Sequence, residues 1–334
     1  MTDDYDRADR ANITGLGAGV PEKVLTNEDL ERMVDTSDEW ITSRTGIKRR
    51  HVLEEGENPS SLGVTAAKEA IRNSSIGPDE VDLVITATNV SDMPIPGSSP
   101  FITQELGISS DIPFFDLKAG CSGFLYALDV ASNLILGPRY EEILIVGLEA
   151  LSRIVNWEDR STCVLFGDGA GAAVVSSSGS TGTVLASSMY GDPSKAKLIN
   201  LEGGGTRNPP AEGNPDDERY YVAMEGKGVF KSAVNMMKKS SHDVLDEAGL
   251  QLSDVDLIVP HQANIRIIKQ LAKSLGIGME KIAVNLEEYA NTSTATIPLA
   301  FKEYLEKGEV EKGDVVLMTA FGAGAAYGAT LVEW

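Results

Sequence analysis

Cysteine is scarce in this chain: Cys121 and Cys163 are the only two among 334 residues. That excludes a disulfide scaffold and fits a reducing compartment. The three histidines, His51, His242 and His261, lie far from one another and from the cysteines, so no metal-ligand spacing exists and no metal is expected. No apolar run is long enough to cross a bilayer. The acidic, polar residues 1–12 hold no apolar segment of the signal-peptide kind, so the expectation is a cytoplasmic protein without membrane partners. Positive charge is also short. Lys and Arg number 29 against 50 Asp and Glu, a formal net charge of -21, and the mean field repels nucleic acid and anionic lipid. Hydrophobic content, 42%, is ample for a core.

The chain is organised around Asp116-Leu117-Lys118-Ala119-Gly120-Cys121-Ser122-Gly123-Phe124. The apolar run 112–115 reads as a buried strand. The longer apolar run 124–136 reads as a buried helix stopped by Gly137-Pro138. Cys121 then occupies a strand-to-helix corner near a helix N-terminus, between Gly120 and Gly123, which let backbone or substrate come close. The helix dipole and unpaired N–H groups at such a corner favour thiolate. A small buried apolar cysteine is the other reading of the same residues.

Elsewhere, residues 1–11 read as a disordered tail. Strands are predicted at 12–20, 81–88, 142–149, 183–189, 255–259, 282–285, 315–318 and 325–332. Helices are predicted at 26–34, capped by Thr26 or Asn27, and at 62–72, 101–106, 222–248, 265–275 and 291–305, the last with Pro298 inside it. Two glycine-rich stretches, 15–20 and 163–175, approach a dinucleotide fingerprint. Both are rejected, because Pro21 follows the first and strand-like Val174-Val175 the second, where a helix should open. The small polar run 176–182 marks a boundary between residues 12–180 and 181–334.

These two halves repeat each other weakly. Val81-Asp82-Leu83-Val84-Ile85 resembles Val255-Asp256-Leu257-Ile258-Val259. The segment ending at Cys121 aligns with 285–291, and 142–147 with 314–318. Strand, helix and strand alternate in both, which gives an α/β protein with mixed sheets, duplicated. Chance likeness among buried strands explains any single match; three in the same order argue for duplication. The repeat sets Cys121 and Asn291 in equivalent corners, and His261 follows a strand equivalent to 81–88. If the halves pack about a pseudo-two-fold, a thiol, an imidazole and an amide converge as a nucleophile with two hydrogen-bonding partners. Structural readings stand beside this: a capping or core histidine at 261 and a helix cap at Asn291.

The pieces WITSRTGIKRRH (40–51), AGCSGF (119–124), FGDGAGA (166–172), MEGKGVFK (224–231), HQANIRI (261–267), YANTSTATIP (289–298) and FGAGAAYGA (321–329) come in one order over nearly the whole chain from Ile13. On them the chain resembles β-ketoacyl-acyl-carrier-protein synthase III, a condensing enzyme of the thiolase superfamily that starts fatty-acid synthesis. The resemblance implies a thiolase-like fold, two duplicated mixed-sheet halves layered αβαβα. It implies that Cys121 attacks an acyl-CoA primer. The carbanion left when malonyl-acyl-carrier protein loses carbon dioxide then attacks the acyl-enzyme. CoA is a substrate, and no cofactor is implied.

By the same resemblance His261 and Asn291 donate hydrogen bonds to the enolate oxygen. The N–H groups of Cys121 and Ala323 form a second oxyanion hole, and Phe321 packs beside the cysteine. Trp40 and Arg160 clasp the adenine of CoA, and Thr36, Gly226 and Asn264 line its path. Arg44, at this CoA site, joins Lys231, Arg266 and Lys273 in a basic patch for the acidic carrier protein; a solvated surface is the plainer reading of such a cluster. Thr88, Leu151, Phe166 and Val222 line the acyl pocket. Ile95 aligns where some relatives carry Phe, in a loop that reaches across a homodimer interface into the partner's acyl pocket. A smaller side chain there leaves room for branched or longer primers. A specialised relative making a polyketide-type product, and a carrier-binding partner without condensing activity, are the alternatives.

Overall fold

The computed structural model describes residues 10–209 and 217–334. The predicted tail at 1–9 lies outside them, as do residues 210–216 of the long acidic loop. Ala11, assigned to that tail, is instead part of the core: it is 3% exposed and its carbonyl accepts from the Val184 N–H.

The first part of the chain runs β1 (Asn12–Gly19), β2 (Val24–Thr26), α1 (Asn27–Glu31), α2 (Asp38–Thr45), β3 (Arg49–His51), α3 (Pro59–Ser74), β4 (Leu83–Ala87), α4 (Ser99–Glu105), β5 (Phe114–Leu117), α5 (Gly123–Ile135), β6 (Glu142–Ala150), α6 (Arg160–Cys163) and β7 (Asp168–Ser176). The second runs β8 (Thr183–Gly191), β9 (Ile199–Asn200), β10 (Ala223–Met224), α7 (Gly226–Ala248), β11 (Leu257–Pro260), α8 (Ile265–Leu275), α9 (Leu286–Tyr289), α10 (Thr296–Glu306), β12 (Val315–Phe321) and β13 (Ala326–Glu333). Thr26 caps α1 in a reciprocal capping box with Asp29. Among the described residues, no helix is long and apolar enough to cross a membrane.

Nine strands form one sheet in the order β11-β12-β13-β8-β1-β7-β6-β4-β5. Its two sides repeat each other. Parallel β4/β6 matches parallel β11/β12, and antiparallel β6/β7/β1 matches antiparallel β12/β13/β8. The sides meet between β1 and β8 at the single pair Asn12–Thr183. The duplication extends to side chains. Asp82 N–H donates to the Glu142 carbonyl while Asp82 Oδ2 accepts from Glu142 N–H (3.1 Å); Asp256 does both with Val315. Glu142 therefore corresponds to Val315, one residue later than the sequence alignment set it.

Three apolar clusters make five layers. One packs α3 against the outer face of β4, β6 and β7. A second packs α7 and α8 against the outer face of β11, β12 and β13. Between the two sides lies a third, built from Phe124, Leu125 and Leu128 of α5 and Ile297, Ala300 and Phe301 of α10, with strand residues of both halves. Helix, sheet, helix, sheet, helix is the αβαβα arrangement.

Several predicted elements differ. The helix drawn over 222–248 begins at Gly226, and Ala223 and Met224 pair with β9 instead. The helix drawn over 26–34 stops at Glu31. The run 112–115 is not a buried strand: β5 starts at Phe114 on the sheet edge, and Phe114 and Phe115 are 44% and 40% exposed. Apolar composition alone does not tell an edge from a centre. Residues 282–285 form no strand, only a bridge from Ile282 to Ile258 that echoes β5 on β4. The helix drawn over 291–305 starts at Thr296, after a 3-10 turn at Ser293–Ala295, so Pro298 falls in its first turn, where no intrahelical N–H is needed.

Candidate active site

Cys121 lies two residues before α5. The corner is fastened by Ser122, whose Oγ donates to the Ala326 carbonyl at 2.8 Å. Gly120 takes φ +56, and a Cβ there would sit 2.3 Å from Ala323 N; one on Gly322 would sit 2.2 Å from Cys121 N. Only glycine lets the nucleophile loop of one half lie on the β12–β13 connection of the other.

That abutment aims the N–H groups of Cys121 and Ala323 at the sulfur. They do not make it acidic. Burial pushes the Cys121 thiol up to about 12, with the charge of nearby Glu149 adding to it, while the Ser293 hydroxyl and the two N–H groups act against this rise. The expected drop at a helix terminus is thus overturned by desolvation.

His261 follows β11 directly and is 3% exposed. Its neighbour Gln262 pins the corner: Nε2 donates to the Pro260 and Ala283 carbonyls, and Oε1 accepts from Asn285 N–H. Burial pulls the His261 imidazole down to about 3, so it is neutral near pH 7. Its Nδ1 lies 2.7 Å from Thr296 Oγ1, and that hydroxyl also lies 2.9 Å from the Ser293 carbonyl. The hydroxyl donates to that carbonyl, so it accepts from Nδ1–H and the ring hydrogen of the neutral imidazole is on Nδ1.

Asn291 is not a helix cap on α10. It bridges Phe166 in parallel pairing, and its Oδ1 accepts from Ser293 N–H at 2.8 Å. Its Nδ2 is left to donate. Cys121, His261 and Asn291 line one cavity of about 650 Å³, together with Arg44, Phe166, Gly226, Asn264, Arg266 and Phe321. Its remaining wall is mostly apolar, including Val229, Phe230, Met237 and Ile267.

Arg44, Phe166, Asn264 and Arg266 apart, the other expected positions lie around this cavity rather than on it. Arg160 Cζ stands 4.8 Å and Arg44 Cζ 5.5 Å from the Trp40 ring centre. Arg160 is tied to the Asp35 carbonyl at 2.6 Å. Thr36 Oγ1 is buried without a hydrogen-bond partner among the described residues. Asn264 caps α8 through Oδ1, and Lys231, Arg266 and Lys273 are exposed. Leu151, Val222 and Phe166 share an apolar cluster with fully buried Cys163, and only Phe166 of these reaches the cavity wall. Thr88 is buried and accepts from Val90 N–H. Ile95 is 87% exposed and lines no part of this chain's own cavity.

Sequence reasoning passed over Glu149, Asn89, Ser293 and Thr296. Ser293 Oγ lies 3.4 Å from Cys121 Sγ and 3.1 Å from Glu149 Oε1. Asn89 Nδ2 donates to the same carboxylate at 2.5 Å. The available signal was a lone carboxylate near the end of the apolar strand ILIVGLEA, a residue that does not belong in a buried run.

A cysteine at a glycine-bounded helix corner thus meets a neutral His and an Asn from the other half on one cavity. Residues 115–193 match the family of 3-oxoacyl-[acyl-carrier-protein] synthase III, and residues 245–334 its C-terminal family. A β-ketoacyl-[acyl-carrier-protein] synthase III of Caldanaerobacter subterraneus subsp. tengcongensis is 42% identical over 324 residues, 97% of this chain and 98% of that one. One from Symbiobacterium thermophilum is 44% identical over 322 residues, 96% and 97% of the two chains. The crystal structure of 3-oxoacyl-[acyl-carrier-protein] synthase III from Aquifex aeolicus superposes with a TM-score of 0.89 at 43% identity, covering 97% of this chain and all of that one. By motif, layer and full-length similarity, the chain belongs to the β-ketoacyl-acyl-carrier-protein synthase III family.

Proposed function

We propose that this protein starts fatty-acid chains by joining an acyl-CoA primer to malonyl-acyl-carrier protein through an acyl-Cys121 intermediate. The Cys121 thiolate attacks the primer thioester and CoA thiolate leaves. Malonyl-carrier protein then loses carbon dioxide, and the electron pair of the broken bond becomes an enolate. The enolate carbon attacks the acyl-enzyme and releases Cys121. The observation that carries this reading is the meeting of Cys121, His261 and Asn291, from two halves of the chain, on one cavity.

In this reading His261 Nε2–H and Asn291 Nδ2–H donate to the enolate oxygen; for His261 the Thr296 hydroxyl turns its proton from the Ser293 carbonyl to Nδ1. The N–H groups of Cys121 and Ala323 serve the tetrahedral intermediate of acyl transfer. The reaction takes place in the cytoplasm. Intact-protein mass after incubation with a panel of acyl-CoAs, then with malonyl-carrier protein, tests the whole. An adduct on Cys121 that leaves with carbon dioxide release is expected, and branched primers are expected to label as acetyl does. A persistent adduct would point to another acceptor or to a binding role. No adduct would end the reading.

CoA enters past Arg44, Gly226 and Asn264, which line the cavity. For adenine to stack between Trp40 and Arg160 their separation must reach about 7 Å, two aromatic contacts of about 3.5 Å. At 4.8 Å the clasp is closed, so Arg160 must swing away from Asp35. Trp40→Ala is expected to raise KM for acyl-CoA by about tenfold and leave kcat within about twofold, since the stack binds ground and transition states alike. Steady-state kinetics with acyl-CoA varied checks this; an unchanged KM would move the adenine elsewhere.

Exposed Arg44, Lys231, Arg266 and Lys273 are assigned to the carrier protein. A homodimer is supported by exposed Phe114 and Phe115 on the unpaired edge of β5 and by exposed Met93 and Ile95 in the loop before α4. Sedimentation is expected to give twice the chain mass, and Phe114→Lys a shift toward the monomer. A wild-type monomer at micromolar concentration would rule the dimer out.

A further inference from the structure

Glu149 is a fully buried carboxylate that the reaction above does not use. It accepts from the Asn89 N–H at 3.2 Å and the Asn89 Nδ2 at 2.5 Å, and from Ser293 Oγ at 3.1 Å. Ser293 Oγ also reaches Cys121 Sγ at 3.4 Å. One hydroxyl proton serves both contacts in only two ways. Ser293 donates to the carboxylate and accepts from the thiol, or it donates to a thiolate and accepts from a carboxylic acid. The two arrangements differ by a shift of protons along the chain of three groups. Ser293 holds its place at φ +50, a left-handed conformation that residues other than glycine rarely adopt. Such strain persists where surrounding structure fixes it, and here it sets the hydroxyl between sulfur and carboxylate.

We propose that Glu149 receives the proton of Cys121 through the Ser293 hydroxyl, so that the thiolate forms without added charge in the pocket. The inference rests on Cys121 being the nucleophile of the condensation. The Cys121 S–H bond breaks and its proton goes to Ser293 Oγ. The Ser293 O–H bond breaks in turn and that proton goes to Glu149 Oε1. The electron pair stays on sulfur, and the pair of groups carries one negative charge before and after. When the thiolate attacks the primer, CoA thiolate leaves and takes its proton from solvent. Glu149 keeps its proton until condensation returns the cysteine as thiolate. A neutral acid, not a second anion, then stands near the enolate.

The energetics favour sharing one proton over ionising both groups, because two anions in a dry site repel strongly. Burial, with the Glu149 charge adding to it, pushes the thiol up to about 12, and burial, against the hydrogen bonds of Asn89 and Ser293, pushes the carboxyl up to about 7. Around Glu149 stand Asn89 from the loop after β4, Ser293 and Thr294 ahead of α10, and Cys121 ahead of α5; only Cys121 among these titrates. The pair therefore holds two protons in acid, one at intermediate pH and none in strong base. The reactive thiolate belongs to the one-proton state. Cys121 reactivity should climb as pH rises through about 7, where Glu149 loses its proton, and then level off.

The test is the rate of Cys121 alkylation by iodoacetamide against pH in the full chain, read by peptide mass. Wild type, Glu149→Gln and Ser293→Gly are compared. Glutamine keeps the shape and still accepts from Asn89, and glycine suits the φ of Ser293; denaturation midpoints report whether each variant is folded. Wild type is expected to level off above about pH 7, Glu149→Gln to keep climbing, and Ser293→Gly, which keeps the Glu149 charge and loses the hydroxyl, to be slower than wild type at pH 8 by at least about tenfold. Ser293→Gly alkylating as fast as wild type, or faster, overturns the relay and would mean that Glu149 only repels the thiolate. A wild-type profile with no step near pH 7 overturns it without any variant. Failure of the condensing reading is separate, since it appears as wild-type Cys121 that alkylates but takes no acyl group from acyl-CoA.

Discussion

Cys121→Ser is expected to lose acylation and turnover by about 10⁴-fold or more. A serine hydroxyl ionises far less readily than a thiol, and no imidazole in this site is placed to take its proton. His261 reaches Thr296 through Nδ1 and offers its other nitrogen to substrate in the proposed mechanism. The neighbouring Ser122 cannot substitute, because its hydroxyl is committed to the Ala326 carbonyl. Cys163 is fully buried in another cluster. The fold should be unaffected, since the corner is set by main-chain contacts of Gly120 and Gly322. Mass spectrometry after acyl-CoA treatment decides the matter. An adduct retained at full stoichiometry by Cys121→Ser would place the nucleophile elsewhere.

His261→Ala and Asn291→Asp should separate the two half-reactions. Asp at 291 still accepts from Ser293 N–H but can no longer donate to an enolate, so it removes the donor and keeps the turn. Loss of one such donor costs about 10²–10³ in rate. Release of carbon dioxide from malonyl-carrier protein should fall by that factor in either variant, while acylation of Cys121 stays within about tenfold of wild type. Because burial pulls His261 down to about 3, wild-type decarboxylation should show no His261 titration between about pH 5 and 9. Equal loss of both half-reactions would mean that the two residues serve acyl transfer as well. A histidine-like break near neutral pH that His261→Ala abolishes would mean the imidazole is charged in the working enzyme.

How far the sequence leads depends on which physical quantity each feature obeys. Periodicity and turn residues follow local rules, so α8 falls at its predicted ends and Thr26 is legible as a cap. The repeat of Val81–Ile85 in Val255–Val259 foreshadows β4 and β11, and with them the meeting of Cys121, His261 and Asn291. The motif order, not composition, points to the family. Burial is a property of the assembled sheet, which is why Phe114 and Phe115 read as core and lie instead on an exposed edge. Desolvation likewise needs the third dimension: the corner of Cys121 is legible, but the enclosure that raises its pKa is not. Glu149 and Ser293 are separated by 144 positions, so no local pattern joins them. Pocket residues such as Leu151 and Val222 are named by resemblance, and they stand behind Phe166 rather than on the cavity wall.

The contact of Gly120 with Ala323, and of Gly322 with Cys121, is main chain against main chain. It has no rotamers. A sulfur positioned through side-chain packing would wander as neighbouring side chains drift in size over generations, whereas this one is indexed to two peptide planes. Surface composition can therefore change a great deal, even to the acidic extreme of this chain, without recalibrating the distance on which the chemistry depends. The cost of that tolerance is concentrated in two positions, where a single added methyl group would have nowhere to go.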